Sequence, residues 1–296
     1  MSQVELNNFP NFFIVGAPKA GTTSLYYYLD AHPEVFMSSI KEPNYFSYQA
    51  TADQQLYYKE KGIATWDKYI ALFKSIEQKK AIGEASVSYL FYPEAAKKIK
   101  EKFPKARIII MLRNPIERAI SHYNMDYKLG YIDCSLENAI QKKDKSDLNK
   151  LYYQQFIQLG FYFEQVKRYI ELFGQENVLI IYFEDINNNT QLEVEKLFHF
   201  LGVDSHFQIN TTARYNTFKT PRNYIIREMY RIKSLRIALK NLLPEKLIDL
   251  IKNIILTKNK KRWPKESTIS FLKELYKLDI QKLEKLLNRN LKSWYE

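Results

Sequence analysis

Residues 11–25 read Asn11-Phe12-Phe13-Ile14-Val15-Gly16-Ala17-Pro18-Lys19-Ala20-Gly21-Thr22-Thr23-Ser24-Leu25. The apolar run in residues 12–15 is short and ends at a glycine, which predicts a buried strand. A helical pattern begins at Gly21, and the free backbone N–H groups at the start of a helix favour a phosphate or another tetrahedral oxyanion. An ordinary strand-to-helix turn is the alternative, but the lysine and the three hydroxyl side chains of the loop favour an anion site.

The loop departs at one position from the signature of nucleoside-triphosphate-binding loops, G-x-x-x-x-G-K-[ST]. Gly16 and Gly21 keep the spacing of that signature, but Thr22 stands where its lysine would be. The lysine of this loop is Lys19, which lies between the two glycines. This displacement argues against hydrolysis of ATP or GTP.

Strand-like and helix-like segments alternate along most of the chain. Further strands are predicted at 80–86, 107–112 and 177–183, and helices at 22–31, 66–75, 93–102, 135–143, 150–159, 161–173 and 191–201. This alternation predicts an α/β fold with a central parallel sheet covered by helices on both faces. Residues 35–47 are expected to be irregular, and Glu184-Asp185 to begin a turn.

The C-terminal third differs in character from the rest. We expect one domain over residues 1–296, with a core at about 10–205 and a helical, basic part at about 222–296. Basic amphipathic helices at 224–241 and 245–256 are typical of a solvated face over a core stripe, and contact with an acidic membrane surface or glycan is the alternative. Ser267 is the expected N-cap of a helix that runs to about Leu287.

Polar side chains follow the strand at 107–112. Arg113 comes directly after it, at the edge of a parallel sheet where ligands usually bind, and a guanidinium grips a phosphate in bidentate fashion. Ser121 lies about two turns into the next helix and is a candidate for the same pocket. Arg118 either faces that pocket or pairs with Glu117 or solvent, and His122 is interpreted as structural.

Glu42 stands in Lys41-Glu42-Pro43-Asn44-Tyr45-Phe46, one acid among apolar and aromatic residues. An acid in a surface loop is normally solvated. In a cleft, a raised pKa would suit the same side chain to act as a base. Spacing alone leaves both interpretations open.

Composition restricts the partners and the compartment. The formal net charge of +12 implies anionic partners, among which nucleic acid, an anionic membrane surface and an anionic cosubstrate or glycan all remain possible. No nucleic-acid-binding signature accompanies the charge, so we expect no nucleic acid partner. A single cysteine, Cys134, and no apolar run of about 18 residues predict a cytoplasmic protein without a membrane span. The single cysteine and the four scattered histidines predict no metal site.

Two segments together resemble a known family. Residues 13–25 resemble the 5′-phosphosulfate loop, and residues 109–123 the 3′-phosphate element, of sulfotransferases that use 3′-phosphoadenosine-5′-phosphosulfate (PAPS). Residues 279–294 are similar to the C-terminal end of bacterial members. The resemblance covers nearly the whole chain and is closest to the carbohydrate (heparan-sulfate-like) branch and its bacterial relatives.

The resemblance implies a P-loop-like three-layer fold with a helical C-terminal extension. It also implies metal-free transfer of a sulfuryl group from PAPS to a hydroxyl or amine, with a carbohydrate or glycolipid as the expected acceptor. Glu42 would be the general base, and Lys19 would stabilise the leaving phosphate. The implied cofactor-binding residues are Lys19, Ala20, Gly21, Thr22, Thr23, Ser24, Arg113, Ser121, Lys260, Lys261, Arg262 and Trp263.

The chain departs from the family pattern at two positions. Lys261 replaces a usual glycine in the loop that closes over the cofactor, and Ala85 replaces a lysine that follows Glu84 in animal relatives. The acceptor cleft is expected around residues 43–58 and 123–150. Two functions of other classes stay open: an ATP-dependent P-loop-like kinase, and a non-catalytic binder of anionic glycan or lipid.

Overall fold

A computed structural model describes residues 9–58, 62–74, 76, 79–140, 149–209, 220–221, 247, 256–257 and 262–296. In this part of the chain, a five-stranded parallel sheet has the order β2-β3-β1-β4-β5. Its strands are β1 (Phe12–Gly16), β2 (Val35–Met37), β3 (Ala81–Ala85), β4 (Arg107–Leu112) and β5 (Val178–Tyr182). A short antiparallel ladder joins β6 (Thr220–Pro221) to β7 (Leu256–Thr257).

Helices flank this sheet, as expected for an α/β fold. Those in the described residues are α1 (Thr22–Asp30), α2 (Tyr48–Asp53), α3 (Trp66–Ile70), α4 (Pro93–Lys102), α5 (Pro115–Leu129), α6 (Leu136–Ile140), α7 (Asn149–Phe156), α8 (Phe163–Phe173), α9 (Phe183–Asn188), α10 (Thr190–Leu201) and α11 (Glu266–Leu287). Short 3-10 turns occur at Ala71–Phe73, Gln158–Gly160, Gln175–Asn177 and Lys292–Trp294.

Strand β1 lies at the centre of the sheet because all its residues are apolar or glycine. All five are buried, and burial of a phenylalanine side chain contributes roughly 2–3 kcal/mol. Phe12 pairs with Gly83 of β3, where an added Cβ would lie 2.3 Å from the Phe12 ring. The glycine in β3 therefore leaves room for a large core side chain on the neighbouring strand.

The central position of β1 brings three strand ends together. β1 pairs in parallel with β3 on one side and with β4 on the other. The carboxyl ends of these strands consequently open at one edge, where Ala17 N donates to Met111 O (2.7 Å) and Leu90 N to Val15 O (2.8 Å). This edge is the usual ligand edge of a parallel α/β sheet.

Three local expectations were wrong. Residues 35–37 form β2 rather than an irregular segment, because Val35 pairs with Ala81 at the sheet edge. The chain after β5 continues as helix α9 rather than as a turn, and its acidic first turn suits a helix N-terminus. Lys265, not Ser267, is the N-cap of α11, and it makes no side-chain cap.

Helix α11 occupies the segment where a helix ending at about Leu287 was predicted. Its fully buried side chains recur at helical spacing: Leu272, Tyr276, Ile280 and Leu283. The single-domain organisation over 1–296 stays a prediction. The helices expected at 224–256 fall almost entirely outside the described residues, and so do Lys260 and Lys261.

Candidate active site

The loop after β1 presents a helix N-terminus to the ligand edge. Gly21 is the N-cap of α1 with φ 104°, and an added Cβ would lie 2.9 Å from Met111 Cε and from the Phe183 ring. No side chain caps this helix and no acid lies in its first turn. The first-turn N–H groups of α1 are therefore suited to an anion.

Lys19 lies inside this loop in the left-handed backbone region, with φ 69°. Its Nζ donates to Met125 Sδ (3.2 Å), and none of the ion pairs among the described residues includes it. Burial lowers the pKa of Lys19, while the charges of Asp126 and Glu42 act in the opposite direction. A partly buried ammonium whose hydrogen bond goes to a thioether is a group whose charge an anionic ligand would satisfy.

Arg113 connects the end of β4 with the loop after β1. Its guanidinium lies 4.3 Å from the centre of the Phe183 ring and donates to Glu117 Oε2 (2.8 Å) and, at 3.4 Å, to the Lys19 carbonyl oxygen. Ser121 is one turn beyond Glu117 on α5, so it lies on the same helix face. The structure thus brings Arg113 next to the loop after β1 (residues 17–21, the anion loop), and Ser121 lies on the face of α5 that carries Glu117.

Glu42 reaches the same region from the segment after β2. It has a left-handed backbone with φ 63°, its N–H donates to Ala85 O (2.9 Å), and its carboxylate lies 2.5 Å from Lys41 Nζ. The Glu42 side chain is 31% exposed, so it is neither fully solvated, as expected for a surface loop, nor fully enclosed in a cleft. Non-glycine residues in left-handed conformations cluster at functional sites, and Glu42 shares this feature with Lys19.

A buried acid supports the segment that carries Glu42. Glu84 is fully buried at the end of β3 and accepts from Tyr69 (2.9 Å), Tyr89 (3.0 Å) and Ser86 (2.9 Å). Ser86 Oγ in turn accepts from Asn44 N (3.0 Å). Burial raises the pKa of Glu84 to about 7, against the effect of its three hydroxyl donors. The acid of the 84–86 segment therefore faces the core rather than the cleft.

Sequence reasoning missed a second buried cluster beside Lys19. Asp126 of α5 accepts from Tyr57 (2.5 Å) and Tyr58 (2.8 Å), and the Tyr58 hydroxyl lies 2.7 Å from His122 Nε2. Burial raises the pKa of Asp126 to about 7, although both tyrosines and the Lys19 charge favour the carboxylate. The adjacent tyrosines in the sequence were the only available signal, because the contact joins residues 68–69 positions apart.

This cluster changes the interpretation of Arg118 and His122. Arg118 takes none of the three predicted positions, which were the pocket, Glu117 and solvent. It is fully buried and donates to Gln155 O (3.0 Å), and its Nη1 lies 3.2 Å from His122 Nδ1. Burial and the Arg118 charge hold the pKa of His122 well below its usual range. His122 is thus a buried, neutral link between Tyr58 and Arg118.

Two of the four expected residues of the C-terminal basic loop are described. Arg262 lies against α5, where its guanidinium carbon is 3.6 Å from the centre of the Tyr127 ring. Trp263 is 58% exposed. No group of three or more His, Cys, Asp or Glu side chains in the described ranges is arranged to hold a metal ion. Within the same ranges, no helix has both the length and the apolar character needed to cross a membrane.

The chain belongs to the sulfotransferase domain family, whose family model matches residues 9–271. This match confirms the family expected from the anion loop and the Arg113 element. A crystal structure of a sulfotransferase from Alicyclobacillus acidocaldarius superposes with a TM-score of 0.68 at 29% identity, over 97% of this chain and 99% of that chain. The P-loop-like three-layer α/β fold is thereby confirmed as well.

Curated relatives point to the same family. Carbohydrate sulfotransferase 15 of Mus musculus is 27% identical over 249 residues, which is 67% of this chain and 44% of that protein. The membrane-associated sulfotransferase kil1 of Dictyostelium discoideum is 38% identical over 116 residues, which is 39% of this chain and 22% of that protein. The chain spans less than half the length of these relatives.

Proposed function

We propose that this chain transfers a sulfuryl group from PAPS to a hydroxyl or amine of an acceptor. The observation that carries the proposal is the partly buried Lys19 ammonium beside the uncapped N-terminus of α1, with Arg113 on the neighbouring strand end. These are cationic groups and N–H donors at one sheet edge, and they fit a ligand with two separated phosphate groups. When bound, PAPS supplies a sulfuryl group already activated by a phosphate leaving group.

Each residue has a defined role in this proposal. The α1 N-terminus and residues 19–24 bind the 5′-phosphosulfate, and Lys19 stabilises the negative charge that develops on the departing phosphate. Arg113 and Ser121 bind the 3′-phosphate, which fixes the donor relative to the loop. Glu42 accepts the proton of the acceptor.

The acceptor we favour is a carbohydrate or glycolipid. The relative from mouse is named as a carbohydrate sulfotransferase, and other curated relatives as heparan sulfate N-deacetylase/N-sulfotransferases. The net charge of +12 suits an acceptor that already carries negative charge. The cytoplasmic location and the peripheral contact with an acidic membrane or glycan through the basic helices at 224–256 stay predictions.

Thermal-shift measurements distinguish the three candidate functions. We expect 3′-phosphoadenosine-5′-phosphate (PAP) to raise the melting temperature, and ATP or ADP with Mg²⁺ to have little effect. Stabilisation by ATP with Mg²⁺ but not by PAP would indicate a kinase. Stabilisation by PAP without transfer of labelled sulfate from PAPS to any glycan or cell-extract acceptor would indicate a binding protein.

Two variants test the roles of the site residues. Glu42→Gln should retain PAP affinity and lose transfer, with Glu94→Gln on the exposed side of α4 as its control. Lys19→Ala should weaken PAP binding and reduce kcat by about 10²–10³-fold, the usual effect of removing one preorganised electrostatic donor. Lys97→Ala, also exposed on α4, is the control. Unchanged turnover in Glu42→Gln would remove Glu42 from the base role.

A further inference from the structure

The backbone of Glu42 is held in a conformation that its residue type disfavours. Its φ is 63°, and such a conformation persists only where the surrounding structure holds it. Both backbone groups of Glu42 are hydrogen-bonded: the N–H donates to Ala85 O (2.9 Å), and the carbonyl oxygen accepts from Asn44 Nδ2 (2.9 Å). The first bond ties Glu42 to the end of β3, and the second makes the Asn44 side chain part of its support.

The Asn44 side chain is itself fixed in orientation. The Glu42 carbonyl oxygen can only accept a hydrogen bond, so the amide atom that faces it is the donor Nδ2 and not Oδ1. Oδ1 accepts from the Ser88 hydroxyl (2.7 Å). Asn44 also has a left-handed backbone, with φ 51°, which asparagine adopts more readily than most residues. Asparagine therefore meets two requirements of this position, a left-handed backbone and a side chain that donates on one side and accepts on the other.

Two hydroxyl groups join the segment that carries Asn44 to the fully buried Glu84. Asn44 N donates to Ser86 Oγ (3.0 Å), and this hydroxyl donates to Glu84 Oε2 (2.9 Å). Two residues further on, Phe46 N donates to the Tyr89 hydroxyl (3.3 Å), which donates to Glu84 Oε1 (3.0 Å). Each carboxylate oxygen of one buried acid thus anchors one point of the 44–46 backbone. The Asn44 amide extends this support to Glu42.

We propose that Asn44 is a positioning residue that holds the Glu42 carboxylate in place to take the proton of the acceptor. This inference rests on the proposed function, in which Glu42 is the general base. In the transfer step, the acceptor oxygen or nitrogen bonds to sulfur and the bond from sulfur to the bridging phosphate oxygen breaks. The acceptor proton moves to the Glu42 carboxylate, and PAP is the other product.

The location of Glu42 makes its exact placement matter. Glu42 is close enough to the anion loop for its negative charge, with that of Asp126, to oppose the lowering of the Lys19 pKa by burial. Asn44 acts on the rate through the backbone of Glu42, and we assign it no contact with the donor or the reacting atoms. Loss of the Asn44 amide should let Glu42 leave its position, and misplacement of a catalytic group by about 1 Å can reduce a rate about 10²-fold.

Asn44→Gly removes the amide, tolerates the left-handed backbone and adds no charge. We expect the initial rate of labelled-sulfate transfer from saturating PAPS into the glycans of a native cell extract to fall about 10–100-fold. The Kd of PAP should stay close to wild type, because the variant leaves the proposed PAP-binding residues unchanged. Hydrogen exchange of the Glu42 amide should become faster, while exchange of the Ser38 amide, which donates to Gly83 O (2.8 Å) on the same strand, should not change.

Asn11→Gly is the matched control. The Asn11 amide also bridges two groups, with Nδ2 donating to Lys80 O (3.0 Å) and Oδ1 accepting from Ile82 N (2.9 Å), but at the opposite end of β1 from the anion loop. Its replacement should leave the transfer rate unchanged. If Asn44→Gly does not fold, Asn44→Asp takes its place. That variant tolerates the left-handed backbone and keeps the Oδ1 acceptor but loses the donor, so the same decrease in transfer is expected.

A double-mutant cycle tests whether Asn44 acts through Glu42. Glu42→Asp keeps the carboxylate but shortens the side chain by one methylene, so it should also slow transfer. Because both changes displace the same carboxylate, the double variant should lose less than the product of the two single losses. A full product, a wild-type transfer rate in Asn44→Gly, or a loss of PAP affinity that matches the loss of transfer would each overturn the inference. Absence of transfer by the wild-type protein would instead refute the proposed function.

Discussion

Replacement of Gly21 by alanine should lower the free energy of unfolding by more than the same replacement at a left-handed glycine with open space around its Cα. The backbone of Gly21 has φ 104°, and a left-handed conformation costs a residue with a Cβ about 1–2 kcal/mol. The new methyl would also lie 2.9 Å from Met111 Cε and from the Phe183 ring, and overpacking of a core typically costs about 1–3 kcal/mol. The two costs together predict that the free energy of unfolding falls by about 2–5 kcal/mol. Each kcal/mol corresponds to a decrease of about 2 °C in melting temperature for a chain of this size.

The displaced ring gives this variant a second expected effect. The Arg113 guanidinium rests on Phe183, so a shift of that ring should also lower PAP affinity. Gly202→Ala is the control: φ there is 71°, but the added Cβ would meet only the end of the flexible Arg107 side chain at 3.3 Å. Urea denaturation and PAP titration of both variants measure the difference. Equal losses of stability, with unchanged PAP affinity in Gly21→Ala, would refute the packing argument.

Three further variants test the buried charges. Burial raises the pKa of Glu84 from 4.5 to about 7, so the folded state binds a proton that the unfolded state releases, and wild-type stability falls as the pH rises from about 4.5 to about 7. Glu84→Gln removes this pH dependence and should be more stable than wild type by up to about 3 kcal/mol above about pH 7. Urea denaturation at several pH values measures the difference. The charge of Asp126 raises the pKa of Lys19, so Asp126→Asn should shift the alkaline loss of PAP affinity to lower pH; an unchanged profile would contradict the coupling. Arg118→Lys should lower the free energy of unfolding by about 3 kcal/mol, because an ammonium group cannot reproduce the guanidinium contacts with Gln155 and His122. A loss below about 1 kcal/mol in urea unfolding would contradict a structural role for these contacts.

The strands that form the site could be predicted because their physical signal is local. β1 and β4 are runs of apolar residues bounded by glycine or by a charged residue, and a buried parallel strand needs little more. β2 could not be predicted in the same way. It has only three residues, Val35–Met37, and its pairing with β3 depends on a strand more than 40 residues away.

The site divides along the same line. Gly21 and Arg113 could be predicted from spacing and from their place after a strand. The cluster of Tyr57, Tyr58 and Asp126 could not, because only the folded chain brings the loop after α2 onto α5. The left-handed backbone at Lys19 and Glu42 was equally inaccessible, since nothing in either residue type favours it.

Under the proposed function, the Arg113–Glu117 ion pair has a bearing on the turnover cycle. The anionic partner of Arg113 is Glu117, four residues further along the chain, and the Glu117 side chain is 45% exposed. A phosphate that binds Arg113 exchanges one anion for another, so part of the attraction is cancelled by the displaced carboxylate. The same carboxylate can return as the nucleotide product departs. If Arg113 binds the 3′-phosphate as proposed, the protein would bind the PAPS donor more weakly and release the PAP product faster. Slow product release is a common limit on turnover.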